Sequence, residues 1–430
     1  MHGLNWCDIP AHVRAQSELN LLDLIGVGIG GATTRASQIT RSFSHAQLGG
    51  ALPMLFDGRG ASPAGLALAG AATIDALDGH DGYNPAKGHI GCAVFAAAMA
   101  FALDRANMDG PEFLTTIILG YELGARLATA LHATVPDYHT SGAWVAVACA
   151  ALGARALKLD HTATRHALGI AEYHGPRSQM MRCIDHPTMV KDGSGWGAMA
   201  GVSAAYLAQA GFTGAPALTV EQAPQYWADL GDRWKTCEQY YKPYPVCRWA
   251  QAPIEGVLTL RRQHGACAQD VARIEVETFH ESVRLDMREP TGTDGAQYST
   301  SFPCAVAMAR GQVTAADISD DALQDPEILR LSRSMVMMES DRANAAFPQT
   351  RLARVRLVLH NGNILQGDWL EPRWDATAPP SEEELRAKFH ALATPVAGGE
   401  TTKRIEAAIH NLATDGLAPL VALICQPISA

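Results

Sequence analysis

Lys242 stands between aromatic residues and prolines in the segment Tyr240–Trp249. The two prolines of this segment disfavour a regular helix or a central strand, and they stiffen the backbone. An amphipathic stretch that begins at Ala250 follows at once. Because a fixed cation near the start of a helix can hold a carboxylate, we expect Lys242 to bind an anionic substrate.

The loop Asp78–His89 is dense in acids, imidazoles and glycine, and it leads directly into an apolar helix. Three interpretations are open. The loop could hold substrate, it could bind a metal through Asp78, His80 and Asp81, or it could be a solvated loop whose acids cap helices. No second cluster has the spacing of metal ligands, so we expect no metal and favour the substrate loop.

His139 and Lys191 each stand in a polar turn before a helix of small residues. His139 could act as a general acid or base, because a free imidazole titrates near neutral pH. The alternative for its segment is structural, with Thr140 and Ser141 capping the helix. Lys191 precedes a flexible Gly/Ser turn and could hold an anion, although a surface lysine is the commoner explanation.

Loops that carry His or Lys before helix N-termini suit chemistry next to a carboxylate group. Loss of a proton or of CO2 at the carbon alpha to a carboxylate generates an enediolate-like dianion. Lysines and helix dipoles stabilise that charge as it develops, and an imidazole or an aspartate moves the proton. No Ser-His-Asp elbow, zinc signature or P-loop in the sequence competes with this interpretation.

Composition limits the class of protein. The 430 residues are 47% apolar and 18% charged, which is typical of a globular protein with a large core. A net charge of -10 argues against nucleic acid or an anionic membrane as a partner. The nine cysteines are dispersed without a CxxC pair, which favours reduced thiols and a cytoplasmic location. The most apolar stretch, Ala93–Leu103, is about half as long as a membrane span.

Helical periodicity fills roughly the first 240 residues. Small residues on several faces indicate closely packed, buried helices. The segments with the clearest pattern are Ala93–Leu103, Leu114–Ala130, Ala143–Leu157 and Trp196–Ala210. This half is therefore predicted to be an all-α bundle.

Strand patterns enter only after Trp249. Val271–Phe279 alternates as a half-buried strand, and Leu352–His360 with Asn363–Trp369 predicts a hairpin around an Asn-Gly turn. Between them, Asp317–Met338 has helical spacing. These elements together predict a smaller α+β unit.

The C-terminal residues return to helix. Ser381 is the predicted N-cap of a helix that runs toward Leu392, and residues 401–424 continue in helix. We therefore predict a mainly α protein, with a large all-α helical domain of residues 1–245 and 385–430 and a second, smaller α+β domain of residues 246–384.

Gly26–Gly31 matches the pattern GxGxxG. A dinucleotide site needs a strand before this pattern, a helix after it and an acid about twenty residues later. Here the helical stretch Glu18–Ile25 precedes it and polar loop sequence follows. The favoured interpretation is a tightly packed, glycine-rich helix end.

The chain resembles the MmgE/PrpD family, which includes 2-methylcitrate dehydratase, cis-aconitate decarboxylase and iminodisuccinate epimerase. The resemblance runs over nearly the whole chain, with the motifs in the order of the family. They are Leu21–Val27, Ala76–Asp81, Gly120–Leu123, His139–Gly142, Ala167–Ala171, Ala210–Gly214 and Tyr241–Cys247.

The resemblance implies a homodimer with an active site between the two domains and no metal or organic cofactor. It implies five catalytic residues, which are Asp78, His89, His139, Lys191 and Lys242. The predicted substrate-binding residues are Lys87, Arg248, Tyr244 and Phe302. Phe302 falls where the family often has a tyrosine, and loss of that hydroxyl would remove a donor or acid near the reacting carbon.

Three functions remain open. The first is a cofactor-independent lyase that dehydrates or decarboxylates a small di- or tricarboxylate. The second is an epimerase or other isomerase of a dicarboxylate such as iminodisuccinate, in which His89 and His139 would transfer protons on opposite faces. The third is a non-catalytic carboxylate-binding homologue.

Overall fold

The computed structural model of the protein describes residues 1–105 and 108–428. Within these residues the fold is mainly α with a smaller α+β region, which confirms the predicted fold class. The first helices are α1 (Ala11–Gly31), α2 (Arg35–Gln47), α3 (Pro63–Asp75), α4 (Gly91–Arg105), α5 (Gly110–Thr134), α6 (Gly142–Ala156), α7 (His161–His174), α8 (Met180–Asp185), α9 (Ser194–Gln209) and α10 (Leu218–Glu221).

The second half of the chain mixes helices with strands. Its helices are α11 (Arg248–His264), α12 (His280–Val283), α13 (Thr293–Gln297), α14 (Ser301–Arg310), α15 (Pro326–Arg333), α16 (Asp341–Ala346), α17 (Glu382–Ala397), α18 (Gly399–His410), α19 (Leu412–Asp415) and α20 (Ala418–Ile424). The strands of the chain are β1 (Leu52–Pro53), β2 (Gly60–Ala61), β3 (Val271–Thr278), β4 (Val336–Glu339), β5 (Arg354–Leu359) and β6 (Ile364–Gln366).

The four helical segments predicted in the first half are confirmed as α4, α5, α6 and α9. Helices α4 and α6 are buried on nearly every face, which explains their uniformly small and apolar sequence. Glycines let α9 lie directly on α6. A methyl group added at Gly201 would stand 2.3 Å from the carbonyl oxygen of Ala146. This close packing holds the ends of α6 and α9, where two of the polar turns lie.

The GxGxxG pattern lies in the last turns of α1, as the helix-end interpretation predicted. A methyl group at Gly28 would stand 2.6 Å from the ring of Phe56. One at Gly31 would stand 2.1 Å from the carbonyl oxygen of Thr73, on α3. The glycines therefore serve helix packing.

The larger sheet has the strand order β4-β3-β5-β6. Strand β3 pairs in parallel with β4 and antiparallel with β5, and β5 pairs antiparallel with β6. The predicted strand and the predicted hairpin are thus confirmed. The helix predicted over Asp317–Met338 is wrong in extent, because only Pro326–Arg333 is α-helical and Val336–Glu339 is strand β4. Pairing with β3 gives Val336–Glu339 backbone hydrogen bonds that sequence periodicity cannot show.

The C-terminal helices return to the first half of the chain. Ser381 caps α17 in a capping box with Glu384, as predicted. The ring of Phe389 lies against Gly26 of α1. The predicted helical stretch 401–424 is divided among α18, α19 and α20. The domain boundaries near residues 245 and 384 stay a prediction.

None of the helices over residues 1–105 and 108–428 combines the length and apolar content that a membrane crossing needs. All nine cysteines lie within the described residues, and all are free thiols.

Candidate active site

The loop Asp78–His89 is buried rather than solvated, which corrects the capping-loop alternative. Its ionisable residues other than Lys87 are less than a tenth exposed. A bridge between Tyr83 and Gly88 closes the loop on itself, and one between Gly82 and Tyr240 ties it to the segment that carries Lys242. Two of the motifs that the sequence singled out therefore meet in space.

The three residues that the metal alternative would use as ligands each have a different partner. Asp78 pairs with Lys242, His80 lies 3.4 Å from a carboxylate oxygen of Asp75, and Asp81 accepts a hydrogen bond from the hydroxyl of Tyr121. No three His, Cys, Asp or Glu side chains in the described chain converge as a group that could hold a metal ion.

Asp78 and Lys242 form a buried ion pair. The ammonium nitrogen of Lys242 lies 2.5 Å from Oδ1 of Asp78, and it also donates to the Asp78 carbonyl oxygen at 3.2 Å. Burial by itself would raise the pKa of Asp78, but the charge of Lys242, with a smaller contribution from Lys191, outweighs it and holds that pKa well below its ordinary value. Asp78 is therefore a carboxylate at neutral pH, and it fixes the position of the lysine.

His89 faces two carboxyl groups through one ring nitrogen. Its Nδ1 lies 2.6 Å from the carbonyl oxygen of Asp81. Its Nε2 lies 3.8 Å from Oδ1 of Asp78 and 3.5 Å from Oδ2 of Asp192. Burial, together with the charge of Lys242, holds the pKa of His89 well below its ordinary value. The ring is thus neutral at rest and placed to accept a proton.

Lys191 is buried, so the surface-lysine alternative is wrong. Only 4% of the residue is exposed. Its ammonium group donates to the side-chain oxygen of Gln297 and stands 4.9 Å from the ring centre of Tyr298. The same Gln297 oxygen accepts from the backbone N–H of Asp78 at 2.9 Å. Gln297 therefore joins Lys191 to the Asp78 loop.

The capping role proposed for Ser141 is wrong as well. Its hydroxyl donates to Oδ2 of Asp192 at 3.0 Å and accepts from the backbone N–H of His89 at 2.9 Å. His139, two residues earlier, is buried, and its Nδ1 has no hydrogen-bond partner among the described residues. The turn before α6 thus supports the site rather than the helix end.

A cavity of about 410 Å³ opens beside Lys191 and Thr140. Gln179, Arg182 and His186 supply further polar groups to its wall. The volume falls in the range of small-molecule sites. It gives a small polar ligand a place next to Lys191.

Further cationic side chains lie within the Asp78–His89 loop or close to it. The ammonium group of Lys87 stands 4.3 Å from the ring centre of Tyr138. Arg351, which is buried, donates to the carbonyl oxygen of Asn84 at 3.2 Å. Arg248 is also buried, but it pairs with Asp375 at 2.8 Å and donates to two backbone carbonyls. Its bonding capacity is largely used within the protein.

Two of the predicted substrate-binding residues do not join this cluster. The hydroxyl of Tyr244 donates to Glu255 at 2.7 Å. Phe302 is fully buried in the apolar core, on α14. The tyrosine that stands with the cluster is Tyr298, because its ring lies against Lys191. A phenol four residues before Phe302 therefore stands beside Lys191.

Sequence reasoning missed four residues of the candidate site. Asp192 directly follows Lys191, and this adjacency to a predicted lysine was the available signal. Gln297 and Tyr298 open the motif in which only Phe302 drew attention. Arg351 carried no local signal, because its neighbourhood is formed by residues distant in sequence.

The sequence matches two family models in succession. The MmgE/PrpD N-terminal domain matches residues 1–230, and the MmgE/PrpD C-terminal domain matches residues 244–414. The chain therefore belongs to the MmgE/PrpD family, as the motifs indicated.

Several curated relatives share nearly the whole length of the chain. A protein of Aspergillus terreus named cis-aconitate decarboxylase is 24% identical, over 98% of this chain and 94% of its own. A cis-aconitate decarboxylase-like protein of Aspergillus oryzae is 23% identical, over 97% and 94%. The cis-aconitate decarboxylase of Homo sapiens is 21% identical, over 96% and 90%.

Proposed function

We propose that the protein is a cofactor-independent lyase acting on a small di- or tricarboxylate. The first candidate reaction is decarboxylation of an unsaturated tricarboxylate such as cis-aconitate. Membership of the MmgE/PrpD family and the names of the relatives support this class of enzyme. Dehydration of a related hydroxy acid is the other lyase reaction that the same groups could carry out.

The observation that carries the proposal is a pair of buried cations without an acidic partner. In the part of the chain that the structure describes, the other buried Lys and Arg side chains each have a carboxylate within 4.0 Å, whereas Lys191 and Arg351 have neutral partners. An unpaired buried charge costs several kcal/mol. A substrate with two or more carboxylates would supply the missing anions.

The two cations reach the Asp78–His89 loop at two different points. Lys191 reaches it through Gln297, which bonds to the N–H of Asp78, and Arg351 reaches it at the carbonyl of Asn84. Carboxylates held at these two points would place the carbon between them near the loop. Lys87 and its neighbours offer a further contact for a third carboxylate.

We assign the chemistry to five residues. Lys191 holds a substrate carboxylate and stabilises the enediolate-like charge as it develops. Lys242 and Asp78 fix the environment of His89 through their ion pair. His89 moves the proton at the reacting carbon, and His139 serves the second proton transfer that dehydration would need. As part of the same proposal, we expect the protein to be located in the cytoplasm and to assemble as a homodimer.

The test is proton NMR of the purified protein in deuterated water with cis-aconitate, 2-methylcitrate, citrate and iminodisuccinate. Loss of CO2 or water from one of them supports the lyase. Deuterium exchange alone supports an epimerase instead. Binding of a carboxylate without any turnover would overturn the enzyme proposal in favour of a carboxylate-binding protein.

Lys191→Gln tests whether the unpaired buried charge of Lys191 holds the substrate. We expect a loss of turnover of at least about 100-fold, because the variant lacks the charge that holds and stabilises the substrate anion. Lys158→Gln is the matched control, since Lys158 is an exposed lysine with a similar positive φ of 53°, against 49° for Lys191. Equal loss in both variants, or none in Lys191→Gln, would contradict the role of Lys191.

A further inference from the structure

Asp192 is a buried carboxyl group that the proposed mechanism does not yet use. It is 1% exposed. Its Oδ2 accepts from the hydroxyl of Ser141 at 3.0 Å, while its Oδ1 has no hydrogen-bond partner among the described residues. An unpaired polar atom in such a place is costly unless a ligand or a proton satisfies it.

The hydrogen bonds of His89 show that a proton is needed between its ring and a neighbouring carboxyl group. The carbonyl oxygen of Asp81 can only accept, so Nδ1 of His89 carries a proton. The neutral ring then presents a lone pair at Nε2, which faces Asp78 at 3.8 Å and Asp192 at 3.5 Å. A lone pair that faces two carboxylates is repelled by both. One proton held between the ring and a carboxyl group removes the repulsion.

That proton belongs on the Asp192 side. Asp78 is occupied by the ammonium group of Lys242 at 2.5 Å, which stabilises its ionised form. Asp192 has no salt bridge to a lysine or arginine among the described residues, and its one close donor is the neutral hydroxyl of Ser141. Its position next to other acids penalises a second negative charge.

We propose that Asp192 stores a proton in the resting enzyme and delivers it through Nε2 of His89 to the carbon that loses CO2. The inference rests on the proposed lyase function. In the step, the bond between the reacting carbon and the carboxylate breaks, CO2 leaves, and the electron pair stays on carbon. His89 takes the proton of Asp192 onto its free Nε2 and then gives that proton to the carbon, so the new C–H bond forms and the ring is neutral again. Asp192 is then a carboxylate, and a proton from water restores it.

The electrostatics of the site agree with this geometry. Burial, followed by repulsion from Asp75 and Asp78, raises the pKa of Asp192 to about 7. Asp192 in turn is near enough to affect several other buried groups. The titratable and hydrogen-bonding groups around it are Asp75, Asp78, His89, Ser141, Lys242, Cys92, Cys183, Cys247, Tyr138 and Tyr298.

A raised pKa has a consequence for stability that needs no substrate. The folded protein holds this proton up to about pH 7, whereas the unfolded chain releases it near 3.8. The stability that the proton contributes is therefore present below pH 3.8 and is lost as the pH rises to about 7. In Asp192→Asn this part of the pH dependence disappears.

The first experiment uses the full-length protein without substrate. Difference infrared spectra between pH 5 and 8 should show the C=O band of a protonated carboxyl group that Asp192→Asn lacks. Asp81, whose pKa burial raises to about 6, also contributes to such spectra, so the assignment rests on the band lost in the variant. Ser141→Ala removes a donor to the ionised form and should move the transition upward. An unchanged spectrum in a folded Asp192→Asn would overturn the proposal.

The second experiment measures turnover. Asp192→Asn should lower kcat at least about 100-fold, and the decline of wild-type kcat as the pH rises through about 7 should be absent from the residual activity. Asp192→Glu keeps a protonatable group. It should restore part of the rate and the decline of kcat at higher pH. Full activity in Asp192→Asn, or a decline of kcat at higher pH that persists in it, would overturn the proton-storing role. If wild type turns over no carboxylate, the lyase proposal fails, and the infrared result still decides the protonation of Asp192.

Discussion

Gln297 joins the α+β region of the chain to the loop that carries Asp78. Its oxygen accepts from the backbone N–H of Asp78 and from the ammonium group of Lys191. Its amide nitrogen donates to the carbonyl oxygen of Ala76 and to the hydroxyl of Thr293 at 2.9 Å. A neutral amide is suited to this place, because it serves both a donor and an acceptor without neutralising Lys191.

Gln297→Leu keeps the shape of the side chain and removes all four hydrogen bonds. We expect the free energy of unfolding to fall by about 1 to 3 kcal/mol, since buried polar groups at Asp78 and Ala76 lose their partners. Turnover should fall further than stability explains, because Lys191 is no longer held. Urea denaturation and kcat measured at a temperature where the variant is fully folded separate the two effects.

The outcome for Gln297→Leu can be judged against Thr293→Val. That variant removes only the hydrogen bond from the Gln297 amide to the Thr293 hydroxyl, and it leaves Asp78 and Lys191 with their partners. It should retain nearly full turnover. Similar losses in both variants would mean that Gln297 acts as general packing rather than as the support of Lys191.

Residue types, together with the resemblance to the family, predicted part of the candidate site. Lys191, Lys242, Asp78 and His89 were predicted because charged groups in polar turns stand out from apolar helical sequence, and the structure brings them together. Tyr298 and Arg351 could not be chosen in this way. Their significance comes from burial next to Lys191 and Asn84, and that depends on contacts between distant parts of the chain.

At the scale of elements, the end of α1 depends on how closely α3 can approach it. A methyl group at Gly31 would stand 2.1 Å from the carbonyl oxygen of Thr73. Helix α3 ends at Asp75, three residues before Asp78, so this contact lies near the start of the Asp78–His89 loop. The glycine is needed for space rather than for a special backbone conformation.

Gly31→Ala should lower the free energy of unfolding by about 1 to 3 kcal/mol through overpacking. Gly399→Ala is the matched control, because Gly399 is also a terminal residue of a helix and has no atom within 4 Å of the added methyl group. The control should be neutral or stabilising by less than about 1 kcal/mol. Thermal or urea unfolding measures both, and equal stability of the two variants would show that α1 and α3 can separate without cost.

Long elements were predictable and short ones were not. Helices such as α5 and α9 run for several turns, so their apolar spacing repeats often enough to be distinguished from a strand. Strand β4 has four residues, and its helix-like spacing with the preceding sequence is accidental. Its conformation is decided by pairing with β3, some sixty residues away in the sequence.

For the whole molecule, the most informative contact joins the two ends of the chain behind the site. Lys388, on α17, lies 2.5 Å from Oδ1 of Asp23 on α1, and it donates to the carbonyl oxygen of Gly79 at 2.6 Å. Gly79 directly follows Asp78. The C-terminal helices therefore do more than cover the bundle, because one of them holds the backbone of the Asp78–His89 loop.

Lys388→Met should destabilise the protein by about 3 to 5 kcal/mol, since it leaves the Asp23 carboxylate buried without its partner. The double variant Asp23→Asn with Lys388→Met should recover much of that loss, because no charge is left unpaired. Both variants should turn over substrate more slowly than wild type, since both lack the bond to Gly79. A double-mutant cycle of urea unfolding, with kcat measured on the same samples, distinguishes the two roles of Lys388. If the stability losses of the two single variants add up in the double variant, the ion pair between Asp23 and Lys388 is contradicted. Wild-type turnover in the double variant would contradict the role of Lys388 in holding the loop.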